Sequence, residues 1–369
     1  IRMTTLHATR GPNFWSTRPV MRMDLVVGAY EDISSADVPG FTDALLSAMP
    51  GLEEHRCSIG ERGGFIIRLR DGTYAPHIVE HIALELQTMI GHDVGYGRTR
   101  GGDNEGEYTL VFEHMHEGVG LRAAALALET VQQAFGGTLT GVEHAVAELS
   151  ALAATSDVPK LAQHVLCGIT GGSDRSATRD EIVRRGFGGD ELIVDVSPAF
   201  LFQAGLPYSH SSIAIVMDTN LTDVPERYQE EERAQRLMAT VADAVDRGGF
   251  VIVPAKQWEV QDKVREAGCR VAIFAADSNV TRRDRKVARL VAMVSDGRIR
   301  VENRGSHDDL GPVRGEAPVA AQVAGALAEL FAKVLRKDFR TLDIGKARVV
   351  LVEMADVLLA PFSPPSQRH

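Results

Sequence analysis

No stretch of this sequence is apolar for long enough to span a bilayer, and the opening residues, with Arg2, His7 and Arg10, lack the apolar core of a secretory signal. Both absences lead to the expectation of a cytoplasmic protein. Cysteine is scarce. Cys57, Cys167 and Cys269 are odd in number, far apart and in no Cys-x-x-Cys pair, which argues against a disulfide frame or zinc ribbon and reads as three reduced packing residues. Positive charge is outweighed, 40 Lys and Arg against 50 Asp and Glu, and a net charge of −10 repels a phosphate backbone. Nucleic acid is therefore not an expected partner, whereas a cationic, arginine-bearing one is tolerated. Internal repeats and low-complexity tracts are missing too. What is present, 44% hydrophobic and 24% charged residues over 369 positions, is the composition of a globular chain long enough for two domains without disulfide or metal staples.

Alternating patterns predict strands at 23–27, 65–69 and 108–112, and helical apolar spacing predicts helices at 77–90, 117–135 and 142–154. Residues 1–155 are thus expected to form a small α+β domain. Turn formers collect in Thr155-Ser156-Asp157-Val158-Pro159, and residues 160–369 follow as a second domain. There, short apolar runs at 165–170, 192–196, 213–217, 250–253 and 271–274 recur between helical segments, the pattern of buried parallel strands. The expected fold class is α/β, with a Rossmann-like, mostly parallel sheet behind the α+β unit. Segments 316–337 and 347–359 add a helix, a strand and another helix, and the tail 361–369 is expected to fray.

Five blocks in order carry a resemblance: Arg10-Gly11-Pro12-Asn13-Phe14-Trp15-Ser16, Pro39-Gly40-Phe41-Thr42, Pro50-Gly51-Leu52-Glu53-Glu54-His55-Arg56-Cys57-Ser58, Gly72-Thr73-Tyr74-Ala75-Pro76-His77-Ile78-Val79-Glu80-His81 and Val94-Gly95-Tyr96-Gly97-Arg98-Thr99-Arg100. Residues 10–135 resemble the N-terminal domain of cyanophycin synthetases, enzymes that build a polyaspartate backbone with arginine on each side chain. In that family an ATP-grasp module and then a Mur-ligase-like module follow; nothing of ATP-grasp size fits between residues 150 and 160. The second domain is similar, more faintly, to the Mur-ligase-like module, with Ile169-Thr170-Gly171 at its phosphate loop and Thr219-Asn220 after a later strand.

That loop needs glycines ending in Gly-Lys-Thr so that backbone N–H groups wrap phosphate and lysine neutralises it. This chain reads Gly171-Gly172-Ser173-Asp174-Arg175-Ser176. Asp174 replaces the glycine that admits phosphate and sets a negative charge against it, and Arg175 is a bulkier cation than lysine. The family's metal-binding acid and histidine read Asp223-Val224-Pro225, and its base-contacting Asn-Ala-Asp-Asp reads Pro254-Ala255-Lys256-Gln257. ATP is not expected as a cofactor. Gly171, Asp174, Arg175 and Ser176 form a degenerate phosphate loop, and the domain is expected to serve oligomerisation or binding.

His77-Ile78-Val79-Glu80-His81 is a His-x-x-Glu-His motif, the order of inverzincin metallohydrolases. Residues four apart stack one helical turn above each other, so His77 and His81 can share one Zn²⁺ while Glu80 serves as general base toward water. Pro76 suits the first turn. Ile78, Ile82, Leu86 and Met89 would bury the opposite face and leave the motif outside the core. Were strands 65–69 and 108–112 parallel, a right-handed crossover would bring residues after Phe112 near His77. Glu117 is then the expected third ligand, with Glu113 and His116 as competitors; Glu129 lies about 18 Å further along the helix. Without a metal, the two histidines would be hydrogen-bonded groove residues.

Gly60-Glu61-Arg62-Gly63-Gly64 reads as a hairpin turn, 282–286 as a solvated charged helix face, and Trp15 and Trp258 as core or interface residues. The leading expectation is a zinc-dependent hydrolase of an aspartate/arginine peptide polymer, itself homo-oligomeric. The alternatives are a scaffold that docks on the polymer or on a full-length synthetase, and a divergent ATP-dependent amino-acid ligase.

Overall fold

The computed structural model describes residues 1–102, 104–155, 164–187, 192–303 and 306–338. The first domain comprises β1 (Arg2–Ala8), β2 (Val20–Val26), α1 (Phe41–Ala48), α2 (Gly64–Asp71), α3 (Ala75–Met89), β3 (Gly97–Gly101), β4 (Glu107–Glu113), α4 (Glu117–Phe135) and α5 (Glu143–Thr155). Its four strands lie in the order β1-β2-β4-β3, each pair antiparallel. Helix α3 starts with Pro76 in its first turn and buries Ile78, Ile82 and Leu86 completely; its core is shared with Met21, Met23, Leu110 and Phe112 of the sheet and with Ala123 and Ala127 of α4.

Residues 65–69 are helical rather than extended, which corrects the predicted strand. Gly63 and its φ of 78° start α2, and Phe65, Ile66 and Leu69 are buried while Ile67 is exposed, the face of a helix and not an alternation. The turn 60–64 accordingly feeds a helix instead of a hairpin. No parallel pair exists in this sheet, so the crossover that pointed to Glu117 is absent. Two strands of this first sheet escaped prediction for a physical reason: β1 is largely polar and β3, Gly97–Gly101, carries no apolar residue at all; in the sheet of the second domain the strands Leu290–Ser295, Arg298–Asn303 and Ser306–Pro312 were not predicted either. Met89 is 39% exposed, because the buried face of α3 ends one turn earlier.

The second domain contains β5 (His164–Thr170), α6 (Arg175–Arg184), β6 (Ile193–Asp195), α7 (Pro198–Ala204), β7 (His210–Val216), α8 (Glu231–Met238), β8 (Val245–Pro254), α9 (Trp258–Glu266), β9 (Arg270–Ala275), α10 (Arg282–Val287), β10 (Leu290–Ser295), β11 (Arg298–Asn303), β12 (Ser306–Pro312) and α11 (Val319–Asp338). The sheet order is β12-β11-β10-β9-β8-β7-β5-β6, parallel from β10 to β6 and antiparallel at β11 and β12. The expected α/β class with a mostly parallel sheet is what forms. Its strands face two cores, Ala214, Val216, Val251 and Val253 toward α8 and α9, and Ile213, Ile215 and Ile252 toward α6 and α11, which is why they read as continuous apolar runs. The boundary segment 156–160 and the segment 347–359 lie outside the described residues.

Within 282–286 the solvated face has one exception, the completely buried Asp284. Cys167 and Cys269 are buried packing residues as read. Trp258 is 41% exposed under the Arg283 guanidinium, so it is not core.

The domains meet through the loop after β1. Leu206 N–H donates to Pro12 O at 2.8 Å, His7 Nε2 lies 2.8 Å from Gln203 O, and Phe14 packs edge-on against Tyr228. Gly11 makes this approach possible, since a Cβ there would fall 2.0 Å from the backbone oxygen of Tyr208. Gly11→Ala is expected to destabilise the protein by about 1–3 kcal/mol through enforced separation, measured as a lowered midpoint in urea unfolding.

Candidate functional site

Three chain segments build a cavity of about 910 Å³ beside α3: the loop at 51–58, the turn at 73, and the segment leading into β3. His77 and His81 project into it one helical turn apart. The Nδ1 of His77 is 2.8 Å from Thr73 Oγ1, which turns its Nε2 toward Cys57 Sγ at 3.3 Å. Phe65 fixes both rings, stacking on His81 with centroids 3.9 Å apart and meeting His77 edge-on. Ligand atoms of Cys57, His77 and His81 all lie within 4.8 Å of one another. Around a tetrahedral zinc ion, sulfur and nitrogen ligands sit about 3.5 Å apart. The donor set of one thiol and two imidazoles fits that ion, because N and S ligands are the ones zinc prefers.

Electrostatics suit ligation. Burial, and then the nearby Arg68 guanidinium, push His77 down to about 4, and burial followed by the neighbouring His77 and His55 holds His81 well below its ordinary value. Both imidazoles are thus neutral at pH 7 with lone pairs free. Glu80 lines the same cavity, 5% exposed, and accepts a hydrogen bond from Thr99 Oγ1 at 2.5 Å. Burial lifts its carboxyl to about 7, against the lowering effect of Thr99. Gly97 leaves room for it, since a Cβ there would come within 2.4 Å of Glu80 Oε1. A carboxyl poised near neutrality in a cleft is suited to holding and releasing a proton.

The expectation that the motif stays out of the core needs revision, because His81 and Glu80 are both buried, at the floor of the cavity. The structure does not bring the predicted third ligand to it. Glu117 opens α4 and pairs with Arg10 at 3.2 Å; Glu113 accepts hydrogen bonds from the Gly95 and Tyr96 amides; His116 caps α4 at the Val119 amide; Glu129 bonds Gln133. Cys57 stands in that place instead. It was read as packing because no second cysteine accompanies it. Only the tertiary fold folds the 51–58 loop, with Cys57 itself in the left-handed region at φ 55°, back onto α3.

The parallel sheet reverses its order between β5 and β7, and the carboxyl ends of these strands mark the place where α/β sheets bind ligands. The loop Gly171-Gly172-Ser173-Asp174-Arg175-Ser176 runs through it. Three of its donors are already used: Asp218 accepts from Gly172 N–H at 3.0 Å, Ser173 N–H at 2.8 Å and Ser173 Oγ at 2.6 Å. Arg175 turns back onto Gly171 O at 2.6 Å and pairs with Asp223 at 3.3 Å, while Ser176 Oγ bonds Asp195. Asp174 holds a left-handed φ of 55° at the start of α6. The carboxylate of Asp218 thus occupies the position of an anion on this loop.

Fold and site define an α+β domain with a histidine and cysteine cavity, joined to a mostly parallel α/β sheet. Residues 20–135 match the sequence model of the cyanophycin synthase-like N-terminal domain. The chain is 34% identical over 257 residues to the cyanophycin synthetase of Trichormus variabilis, covering 68% of this chain and 27% of that protein. It is 48% identical over 126 residues to that of Crocosphaera subtropica, covering 32% of this chain and 14% of that one. A match over 68% of the chain is longer than the first domain and so continues into the second. The chain spans about a quarter of the length of the Trichormus relative. Among solved structures it is similar to a MurF ligase from Thermotoga maritima in complex with ADP, at 12% identity over 52% of this chain and 49% of that one, TM-score 0.34. A pseudomurein peptide ligase type C from Methanothermus fervidus is similar at 11% identity over 55% and 54%, TM-score 0.35. No described helix is long and apolar enough to cross a membrane.

Two predictions follow from the geometry. A carboxyl whose pKa rises on folding contributes stability below its unfolded value and loses it as pH rises through the folded one. In metal-free protein, Glu80→Gln should therefore gain stability over wild type progressively between pH about 4.5 and about 7 and hold that gain above, about 3 kcal/mol in size, measured by urea unfolding across pH. Asp218→Ala should expose the Gly172 and Ser173 donors, so that sulfate or phosphate raises the melting temperature of the variant and not of wild type.

Proposed function

We propose that the first domain is a zinc-dependent hydrolase of a peptide made of aspartate and arginine, and that the second domain does not run ATP-dependent ligation. The observation that carries the hydrolase reading is the convergence of Cys57, His77 and His81 within 4.8 Å, at the wall of a cavity that also holds Glu80. Zinc bound by those three side chains supplies Lewis acidity toward an amide carbonyl. The protein does the rest. Glu80 Oε2 is anchored by Thr99, leaving Oε1 to take a proton from water and return it to the leaving amine.

Substrate preference is supported by charge around the cavity. Arg56, Arg68 and Arg98 line it, are exposed, and make no ion pair among the described residues, so they are free to take substrate carboxylates. The polymer that the resemblance implies, a polyaspartate with an arginine amide-linked to each side chain, supplies those groups as the free carboxylates of its arginines. The absence of ligation is supported by Asp218, whose carboxylate uses the amides that would wrap a phosphate, and by Arg175, which is tied to Gly171 O and Asp223.

The deciding experiment measures zinc content after purification without chelator and arginine-bearing fragments released from an aspartate/arginine polymer. The expected result is one zinc per chain, release that a chelator stops, and a loss of at least 10²-fold in Glu80→Gln. Arg98→Ala should raise KM about tenfold with little change in kcat, the loss of one charged contact worth about 1.4 kcal/mol. A protein that binds no zinc and releases nothing is a binding scaffold, and the hydrolase reading fails.

A further inference from the structure

Behind His81 the structure holds two residues that the motif does not contain. His55 Nδ1 lies 2.8 Å from His81 Nδ1, and His55 Nε2 lies 3.0 Å from Glu85 Oε2. Glu85 sits one helical turn after His81 on α3, with its side chain 4% exposed, and His55 is 14% exposed. These are buried polar groups in a fixed line, and two ring nitrogens facing each other at hydrogen-bond distance can share only one proton.

The direction of the line follows from donor and acceptor rules. A carboxylate only accepts, so the Glu85 bond requires a proton on His55 Nε2. A neutral imidazole carries one proton, so His55 Nδ1 is bare and must accept. His81 therefore carries its proton on Nδ1, and its Nε2 lone pair is left free. We infer that Glu85 and His55 form a one-way hydrogen-bond relay that locks His81 in the Nδ1–H tautomer with Nε2 available as a ligand, which makes both of them positioning residues for the cation held with Cys57 and His77. The inference rests on the zinc reading above and adds to it the groups behind one ligand. On the other ligand, Thr73 Oγ1 meets His77 Nδ1, and because a hydroxyl donates or accepts, that contact orients the ring without fixing its tautomer.

Glu85 is itself held in place. Gly51 presses on its carboxylate so closely that a Cβ there would come within 2.0 Å of Glu85 Oε1. Groups that donate to a metal-bound histidine fix its orientation and raise its basicity, and their loss weakens metal affinity about 10–100-fold. His55, Glu85 and Gly51 all lie in this cavity wall, and none of them is a ligand in the Cys57, His77, His81 set.

The test uses the full chain. In metal-free protein at about pH 8, where imidazoles are neutral, nitrogen NMR of the histidine rings should show His81 protonated on Nδ1 and bare on Nε2. His81 protonated on Nε2 overturns the relay. For zinc alone, His55→Phe should weaken binding about 10–100-fold and let His81 sample both tautomers, whereas His55→Asn, whose Oδ1 stands where Nδ1 stood, should recover most of the affinity and the single tautomer. Gly51→Ala, which keeps both relay residues but displaces the Glu85 carboxylate, should reproduce part of the His55→Phe loss. Unchanged zinc affinity in His55→Phe overturns the positioning role. If wild type binds no zinc, the hydrolase reading fails by itself, and the tautomer measurement still decides whether the relay exists. Cobalt substitution gives a readout apart from activity, since the thiolate-to-cobalt band of Cys57 should persist in His55→Phe at saturating metal.

Discussion

The first domain depends on α3 burying polar side chains on a helix that is also its central core element. Glu80, His81, Glu85 and Gln87 are each at most 6% exposed. Each would cost several kcal/mol if left without a partner. Their partners come from four different places: Thr99 on β3 for Glu80, His55 from the 51–58 loop for His81 and Glu85, and the carbonyls of Ala83 and Glu113 for the Gln87 amide. The polar ring around α3 thus positions the loop that carries Cys57 and the strand edge that carries Arg98. For Glu80, His81 and Glu85 chemistry and architecture share the same bonds, since Thr99 and His55, which satisfy them, also line the cavity.

The second domain applies the same rule to opposite effect. Backbone N–H groups at the switch point of a parallel sheet are ready to hold an anion, and in this chain a side chain of the neighbouring strand end meets them. Asp218 takes the loop amides and its own Asn220 amide at 2.7 Å. One strand over, the buried Asp284 takes the Lys256 amide and the Gln261 side chain, and closes a reciprocal cap with Thr281. At both loops on the carboxyl edge a carboxylate therefore takes backbone amides, Asp218 those of Gly172 and Ser173 and Asp284 that of Lys256.

The two domains meet by close backbone approach and through Phe14, which packs on the core of the second. Gly11 lets Pro12 O reach Leu206 N–H, and Gly205, with a φ of 69°, lets Asn13 pack against it. Asn13 in turn organises its own loop, donating to Thr9, Gly11 and Arg18 and accepting from the Trp15 and Ser16 amides. The Arg10-Gly11-Pro12-Asn13 block, which carried part of the family resemblance, is in structural terms a clasp between the two domains.

Much of this was legible in the residues. Five parallel strands of the second sheet, β5 to β9, could be read because both of their faces are buried, so that apolar runs stand out from any neighbour, whereas β10 was not picked out; helices α3 and α4 could be read because one apolar stripe at helical spacing needs no knowledge of what it packs on. The His-x-x-Glu-His spacing set His77, Glu80 and His81 on adjacent turns from sequence alone, since helix geometry is local. What the sequence could not decide was everything that depends on which loop returns to which face. The strand at 65–69 proved a helix because a glycine at left-handed φ, visible only in the fold, begins it. Cys57 joined the histidines and Glu117 left for Arg10 because chain return across twenty residues or more is settled by core packing and by the partners that buried polar groups demand. Local periodicity encodes neither.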